Sequence, residues 1–272
     1  MTLSRAIVTV NLGNDPSYRY GLTSQRKYAE KCCAEYIVID EPIIELAGIR
    51  TIQHQAWLQK LAVFQLLSEF DVILFLDADI IVTPQAQDIF EEYGPRLDVL
   101  VLYDESHLSR SRPLGEAARL LSGSKINLDG PYYNLGVFLI GRDSKLSEQV
   151  CLETVEKFFL HKVLFPEQTY ISYLILQNRI QVTPLSRSYN FMQESQNVMD
   201  ETERYKQDFI HYAGQSHRSR RGQKRSTVMR TDFCLLYEQN RLTYLRFMLI
   251  DFLANILFSL AKEWQRLRNK DG

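Results

Sequence analysis

Cysteine is scarce in this sequence. Of 272 residues four are Cys: Cys32 and Cys33 are adjacent, and Cys151 and Cys234 lie far away. That is too few for a disulfide scaffold, and without a Cys-x-x-Cys pair there is no thiolate zinc site, so the chain reads as one kept in a reducing compartment. Charge of one sign is also lacking. With 32 basic and 33 acidic residues the net charge is −1, which argues against a general nucleic-acid binder because no overall excess draws a phosphate backbone. Near the N-terminus, Arg5-Ala6-Ile7-Val8-Thr9-Val10 is too short an apolar run for a signal peptide and reads as a first strand. A cytoplasmic protein is the expectation. Internal repeats and long low-complexity tracts are missing too.

What remains is an ordinary globular composition, 45% hydrophobic and 24% charged, enough for one large domain or one domain with an appendage. Strands are expected at 6–10, 36–40, 72–76 and 99–102, and helices at 18–35, 53–70 and 88–93. In the 53–70 helix Trp57, Leu61, Phe64 and Leu67 recur at helical spacing. Alternation of this kind predicts an α/β fold with a mostly parallel sheet, whose ligands sit beyond the carboxyl ends of the strands. Residues 11–18 and 77–79 occupy two such ends, consistent with one crevice. Further on, 106–128 is polar and Arg-rich, a loop or short helix over the site. A strand is expected at 132–140, helices at 145–164 and 167–176, an extended segment at 180–185 and a last strand at 209–214.

The stretch 71–82, DVILFLDADIIV, organises the rest. Residues 72–76 have the length of a strand buried on both faces. Asp77 and Asp79 then flank the small Ala78 before Ile80, Ile81 and Val82 resume the apolar run. Two carboxylates at the tip of a core strand repel each other and are costly to desolvate unless something balances them. A divalent cation with hard oxygen ligands, Mg²⁺ or Mn²⁺, answers both problems. Solvated strand-end aspartates are the plainer reading of a bare Asp-x-Asp, and the strand context weighs against it. His211 closes the 209–210 apolar pair and offers a neutral imidazole as a third ligand, although a strand-end histidine is more often structural. Gly214 would let the backbone approach a phosphate, with His217, Arg218, Arg220 and Arg221 supplying positive charge beyond it.

The C-terminal part differs in character. Residues 218–230, RSRRGQKRSTVMR, carry no acid and are expected to be an exposed linker running to about residue 240. Residues 241–272 read as a long helix that is apolar almost all round. Arg246 and Asp251 interrupt it, which argues against a spanning helix. Three roles stand open: packing on the preceding domain, peripheral contact with an anionic membrane surface, or pairing with another subunit in a homo-oligomer.

The pieces Trp57-Leu58-Gln59-Lys60, FLDADIIV, YYNLGVFLI, PEQTYISYL and HYAG follow one another in the order found in glycosyltransferases of the GT-A fold. The chain resembles most the retaining, glycogenin-like family eight, over about residues 6 to 217. That resemblance implies a GT-A catalytic domain over 1–217, a Rossmann-like nucleotide-diphospho-sugar transferase with a C-terminal helical extension. It implies that Asp77, Asp79 and His211 hold Mn²⁺ or Mg²⁺ against the diphosphate of a UDP-sugar. Asn11, Asp15 and Tyr18 match the nucleoside-binding segment, with Tyr18 placed to stack on the base. Lys60 matches a lysine that reaches toward the donor, Ala78 lies within the donor-binding turn, Asn134 and Gly136 match an Asn-x-Gly, and Gln168 matches the amide of an Asp-Gln pair near sugar and acceptor. Glu167 stands where that pair has Asp, and Leu135 where Ser or Ala is common. The family's His-x-x-Gly-x-x-Lys becomes His211-x-x-Gly214-x-x-His217, so its phosphate-binding lysine is missing and Arg218 is the nearest substitute. Gln168, Glu167 and Asp129 are the candidates for catalytic work. The implied acceptor is a carbohydrate, lipid-linked glycan or protein. Two rivals remain: a sugar nucleotidyltransferase, whose glycine-rich basic loop the acidic Asn11-Leu12-Gly13-Asn14-Asp15-Pro16 lacks, and a non-catalytic nucleotide-sugar binding scaffold.

Overall fold

The computed structural model describes residues 3–49, 51–94, 96–106, 111–122, 130–192, 203–213, 225–237 and 249. Six strands form the central sheet: β1 (Arg5–Val10), β2 (Glu35–Ile39), β3 (Val72–Leu76), β5 (Leu100–Asp104), β6 (Tyr133–Gly141) and β7 (Thr183–Pro184). Two more, β4 (Ile80–Val82) and β8 (Phe209–His211), make a small second sheet. The order across the central sheet is β2-β1-β3-β6-β5-β7. β1 pairs parallel with both β2 and β3, and β5 parallel with β7, while β6 runs antiparallel between β3 and β5. This is the α/β layout the alternating pattern predicts.

β3 and β6 are buried along their whole lengths. The period-two alternation of strand side chains splits them between two cores. Ile73, Phe75, Phe138 and Ile140 face one side, with helices α5 (Ser111–Ser122), α6 (Leu152–Leu160) and α7 (Pro166–Gln177). Val72, Leu74, Leu76, Val137 and Leu139 face the other, with Tyr28 and Ala29 of α1 (Arg19–Lys31).

The apolar run 72–82 is not one strand. β3 ends at Leu76, residues 77–79 turn, and β4 leaves the main sheet to pair antiparallel with β8. The two carboxylates therefore sit in a turn between two sheets. The helix expected at 53–70 is α2 (Ile52–Gln59), a 3₁₀ turn at Lys60–Ala62, then α3 (Val63–Leu66). Thr51 caps α2 by accepting the His54 N–H at 3.1 Å. The tightened turn delivers Lys60 into the interior. α4 (Ile89–Glu92) starts under the Asp88 cap, and α7 starts on Pro166, whose missing N–H costs nothing there.

Part of the segment expected as a linker folds: α8 (Arg225–Tyr237) is a helix. Its basic residues disguise a buried face of Val228, Met229 and Phe233 against Tyr20, Ile81, Ile210 and Tyr212, and Cys234 is buried too. Asp232, fully buried, accepts hydrogen bonds from Arg204 (2.7 Å), Tyr205 (2.7 Å) and Tyr212 (2.6 Å), which fastens the helix. Residues 218–224 and 238–240, and the helix expected at 241–272 apart from Leu249, lie outside the described residues. Among the described residues no helix is long and apolar enough to cross a membrane.

Candidate active site

Register builds the cluster. β4 pairs Ile80 with His211, which sets the imidazole beside Asp79. His211 Nε2 lies 3.3 Å from Asp79 Oδ1 and 3.7 Å from Asp77 Oδ2. The three residues each offer one ligand atom, all within 4.8 Å of one another. Two carboxylate oxygens and one imidazole nitrogen gathered this closely are a donor set that could hold a divalent cation.

Helix α1 clamps the turn. Gln25 Nε2 donates to the carbonyls of Asp77 (2.9 Å) and Ile80 (3.1 Å), and Ser24 Oγ accepts the Val82 N–H at 3.0 Å. Gly21 allows this approach: a Cβ built there would lie 2.2 Å from the carbonyl oxygen of the buried Ala78. From the other side the Asp77 N–H donates to Gly136 O at 2.7 Å. Gly136 in turn has no room for a side chain, because its Cβ would meet His211 Cε1 at 2.3 Å.

Behind His211 runs a buried chain of hydrogen bonds with one direction. The Glu105 carboxylate, an acceptor only, takes the Asn134 amide N–H at 3.0 Å. That leaves Asn134 Oδ1 to accept from Asn190 Nδ2 at 3.0 Å and from the Gly136 N–H at 2.8 Å. Asn190 Oδ1 then faces His211 Nδ1 at 2.7 Å. With Asn190 Oδ1 accepting from Nδ1–H, Nε2 is the nitrogen presented to the two aspartates, as an N–H donor to Asp79 here and as the ligand atom that a cation would take. Glu105 also accepts from Gln168 Nε2 at 3.1 Å, so Gln168 Oε1 accepts the Leu135 N–H at 3.3 Å. One carboxylate thus orients the histidine and the glutamine together.

Two cations already answer the aspartates. Lys60 Nζ is 2.8 Å from Asp77 Oδ1, and Arg225 Nη1 is 2.6 Å from Asp79 Oδ2. Burial by itself would raise the Asp79 carboxyl. The hydrogen bond and charge of His211, then Arg225 and Lys60, outweigh it and hold the group well below the usual carboxylate range. At Lys60 burial acts to lower the ammonium, and the carboxylates of Asp77 and Glu167 more than offset it, leaving the group raised. Glu167 is 2% exposed, 3.9 Å from Lys60 Nζ, and its Oε2 has no hydrogen-bond partner among the described residues. Desolvation pushes its carboxyl up.

The sequence-derived candidates fall as follows. Asp77, Asp79, His211, Lys60, Asn134, Gly136, Glu167 and Gln168 converge on this cluster. Asn11 and Asp15 lie beyond the carboxyl end of β1, with Asn11 Nδ2 3.4 Å from the Asp15 carbonyl. Tyr18 is half-buried at the same end. Burial raises its phenol most, and the charge of Asp79 raises it next, against the opposing charge of Arg225. Asp129, Gly214, His217 and Arg218 lie outside the described residues. Glu105, Asn190, Gln25 and Arg225 are additions that only the structure supplies. Glu105 follows the last residue of β5, a strand-end acid like Asp77, and that was the one available signal for it. Asn190, Gln25 and Arg225 carried none.

The model of glycosyl transferase family 8 matches residues 31–217. No curated protein sequence matches the chain. Among solved structures, a glycosyltransferase involved in the glycosylation of the major capsid of PBCV-1 aligns with a TM-score of 0.53 at 13% identity, over 84% of this chain and 98% of that one. The galactosyltransferase LgtC, in complex with donor and acceptor sugar analogues, aligns with a TM-score of 0.52 at 16% identity, over 87% of this chain and 98% of that one. An active-site Gln→Glu variant of LgtC aligns with a TM-score of 0.51 at 17% identity, again over 87% and 98%.

Proposed function

The chain belongs to glycosyl transferase family 8, and from that premise we propose that it moves a hexose from a UDP-sugar to a carbohydrate, lipid-linked or protein acceptor with retention at the anomeric carbon, using Mn²⁺ or Mg²⁺ held by Asp77, Asp79 and His211. It is a glycosyltransferase by family, which favours glycosyl transfer over nucleotidyl transfer. The observation that carries the finer reading is the convergence of two aspartates and one pre-oriented imidazole at ligand spacing. When bound, the cation would supply Lewis-acid stabilisation of the departing nucleoside diphosphate.

The chain's own residues do the rest. Asn11, Asp15 and Tyr18 line the end of β1 where a nucleoside fits, with the Tyr18 ring offering a face to the base. Lys60, held on Asp77, adds positive charge where the diphosphate leaves. Glu167 and Gln168 begin α7 and face the transferred sugar, and the unpartnered Glu167 Oε2 suits a sugar hydroxyl. Gln168 Oε1 already accepts the Leu135 N–H. This favours attack of the acceptor on the face the leaving group departs from, rather than a covalent intermediate on that amide. Asp129, Gly214, His217 and Arg218 remain part of the proposed donor and acceptor surface.

The test is hydrolysis of a panel of UDP- and GDP-sugars with Mn²⁺, comparing wild type with Asp79→Ala and reading the released sugar by NMR. One UDP-sugar should turn over, release the anomer it started with, and stop in the variant. An inverted anomer would overturn retention, and equal turnover by Asp79→Ala would overturn the assignment of the site.

A further inference from the structure

The two cations in the cluster differ in origin. Lys60 belongs to a motif of the family resemblance. Arg225 does not: it opens α8, beyond residues 31–217. It bonds Asp79 across 146 positions of sequence. Together the pairs Lys60–Asp77 and Arg225–Asp79 make the four groups neutral. A neutral cluster attracts a bare divalent cation weakly, since each carboxylate already has a partner. A cation arriving with a diphosphate is a different ligand. Its charge replaces the cations on the aspartates, and its phosphate oxygens offer Arg225 and Lys60 new acceptors.

Position supports the same exchange. Arg225 Nη1 sits on Asp79 Oδ2 at 2.6 Å, and the Tyr18 phenol, just past the end of β1, feels the charges of both groups. A diphosphate bound to a cation on Asp79 would lie within reach of this guanidinium. The guanidinium is about one-third exposed on its side chain, and its helix is fixed by the buried Asp232, seven residues or about two turns on. The sequence supplies the need: His217 stands where a phosphate-binding lysine is expected.

Resting on the proposed reading of the site, we propose that Arg225 is a diphosphate-binding residue that couples cation and nucleotide: it holds Asp79 Oδ2 until a cation takes that carboxylate, and then bonds the donor's phosphate oxygens. The guanidinium's planar fork suits both partners, because carboxylate and phosphate present paired oxygens at similar spacing.

Calorimetry on the full chain tests this, with two titrations for each variant: Mn²⁺ alone, and UDP at saturating Mn²⁺. Variants are Arg225→Gln, Arg225→Lys, Arg218→Ala and Asp79→Ala, each checked for wild-type melting. Arg225→Gln should bind bare Mn²⁺ more tightly, about fivefold, and UDP more weakly, about tenfold, so that the coupling between the two ligands collapses. Arg225→Lys should fall between. Unchanged affinities in Arg225→Gln would overturn the inference, as would parallel weakening of both ligands, which marks a clamp on Asp79 only. Loss of UDP affinity in Arg218→Ala with none in Arg225→Gln would give the role to Arg218. If wild type showed no Mn²⁺-dependent UDP binding, the reading of the site would fall first. If wild type bound and Asp79→Ala did not, the site reading would stand whatever Arg225 did.

Discussion

At the scale of single residues the site depends on groups that do not touch a ligand. Glu105 is the clearest. Its two oxygens accept from Asn134 and Gln168, and through Asn190 it settles which nitrogen of His211 faces the aspartates. In Glu105→Gln one carboxylate oxygen becomes an amide NH₂ that must face another donor, so either the relay to His211 or the anchor of Gln168 breaks. Partners of this kind are worth about 10–100-fold in metal affinity. We expect Mn²⁺ affinity to drop by that order in Glu105→Gln, measured by calorimetry, while far-UV circular dichroism stays unchanged. Glu167 makes an opposite case. Its burial without a partner for Oε2 raises the carboxyl, so the folded state binds that proton more tightly than the unfolded chain does. Its contribution to stability is therefore most favourable below the unfolded carboxyl pKa and is lost as pH rises through the raised folded value. Glu167→Gln removes the charge. It should stabilise the protein at pH 8 by about 1–2 kcal/mol, the cost of an unsatisfied buried polar group, and that gain should vanish in urea titrations at pH 4. Such a trade of stability for a poised side chain is common at active sites.

At the scale of elements, strands proved more legible than the joints between them. A continuous apolar run identifies β3, because nothing polar interrupts residues 72–76. The break after Asp79 is less visible: Ile80, Ile81 and Val82 look like the same strand, and only the separate pairing of β4 with β8 shows that the chain changes sheets. The helix 52–66 was legible by its period, but not its 3₁₀ turn at Lys60. α8 was hidden because it begins inside the basic run 218–230, which drew its first turn into the expected linker, while most of its apolar residues follow that run. Its buried face is completed by Asp232, a charge that pattern alone assigns to solvent. The packing of α1 on the aspartate turn gives the element-scale prediction. Gly21→Ala would gain about 1 kcal/mol of helix propensity. Its methyl group would meet the Ala78 carbonyl oxygen at 2.2 Å, and that oxygen cannot retreat without moving both aspartates. Overpacking against backbone costs about 1–3 kcal/mol, so the clash should win. A lowered urea midpoint together with weakened Mn²⁺ binding is the expected result.

At the scale of the molecule, sequence pattern was enough for the α/β layout, in which β1 and β3 are parallel neighbours whose carboxyl ends adjoin. It also brought Asp77, Asp79 and His211 together, although His211 lies 132 positions beyond Asp79. The resemblance to family eight supplied the order of motifs that justified joining them. What the sequence withheld has a common physical character. Glu105, Asn190, Gln25 and Arg225 are single polar residues with no spacing rule, recruited by tertiary contacts that no local period announces. Glu105, Asn190 and Gln25 orient the aspartate turn and the imidazole, and Arg225 pairs with Asp79 directly.

The proposed function rests on three residues from two sheets forming one cation site through which a nucleoside diphosphate binds. Titration calorimetry of UDP, with Mn²⁺ and with chelator, on wild type and His211→Ala, decides whether they do. Wild type should bind only when Mn²⁺ is present, and the variant should lose at least about 100-fold in affinity, comparable with removing a ligand together with its oriented partners. Binding of UDP that is equal with and without the metal, or that survives His211→Ala unchanged, would refute the site.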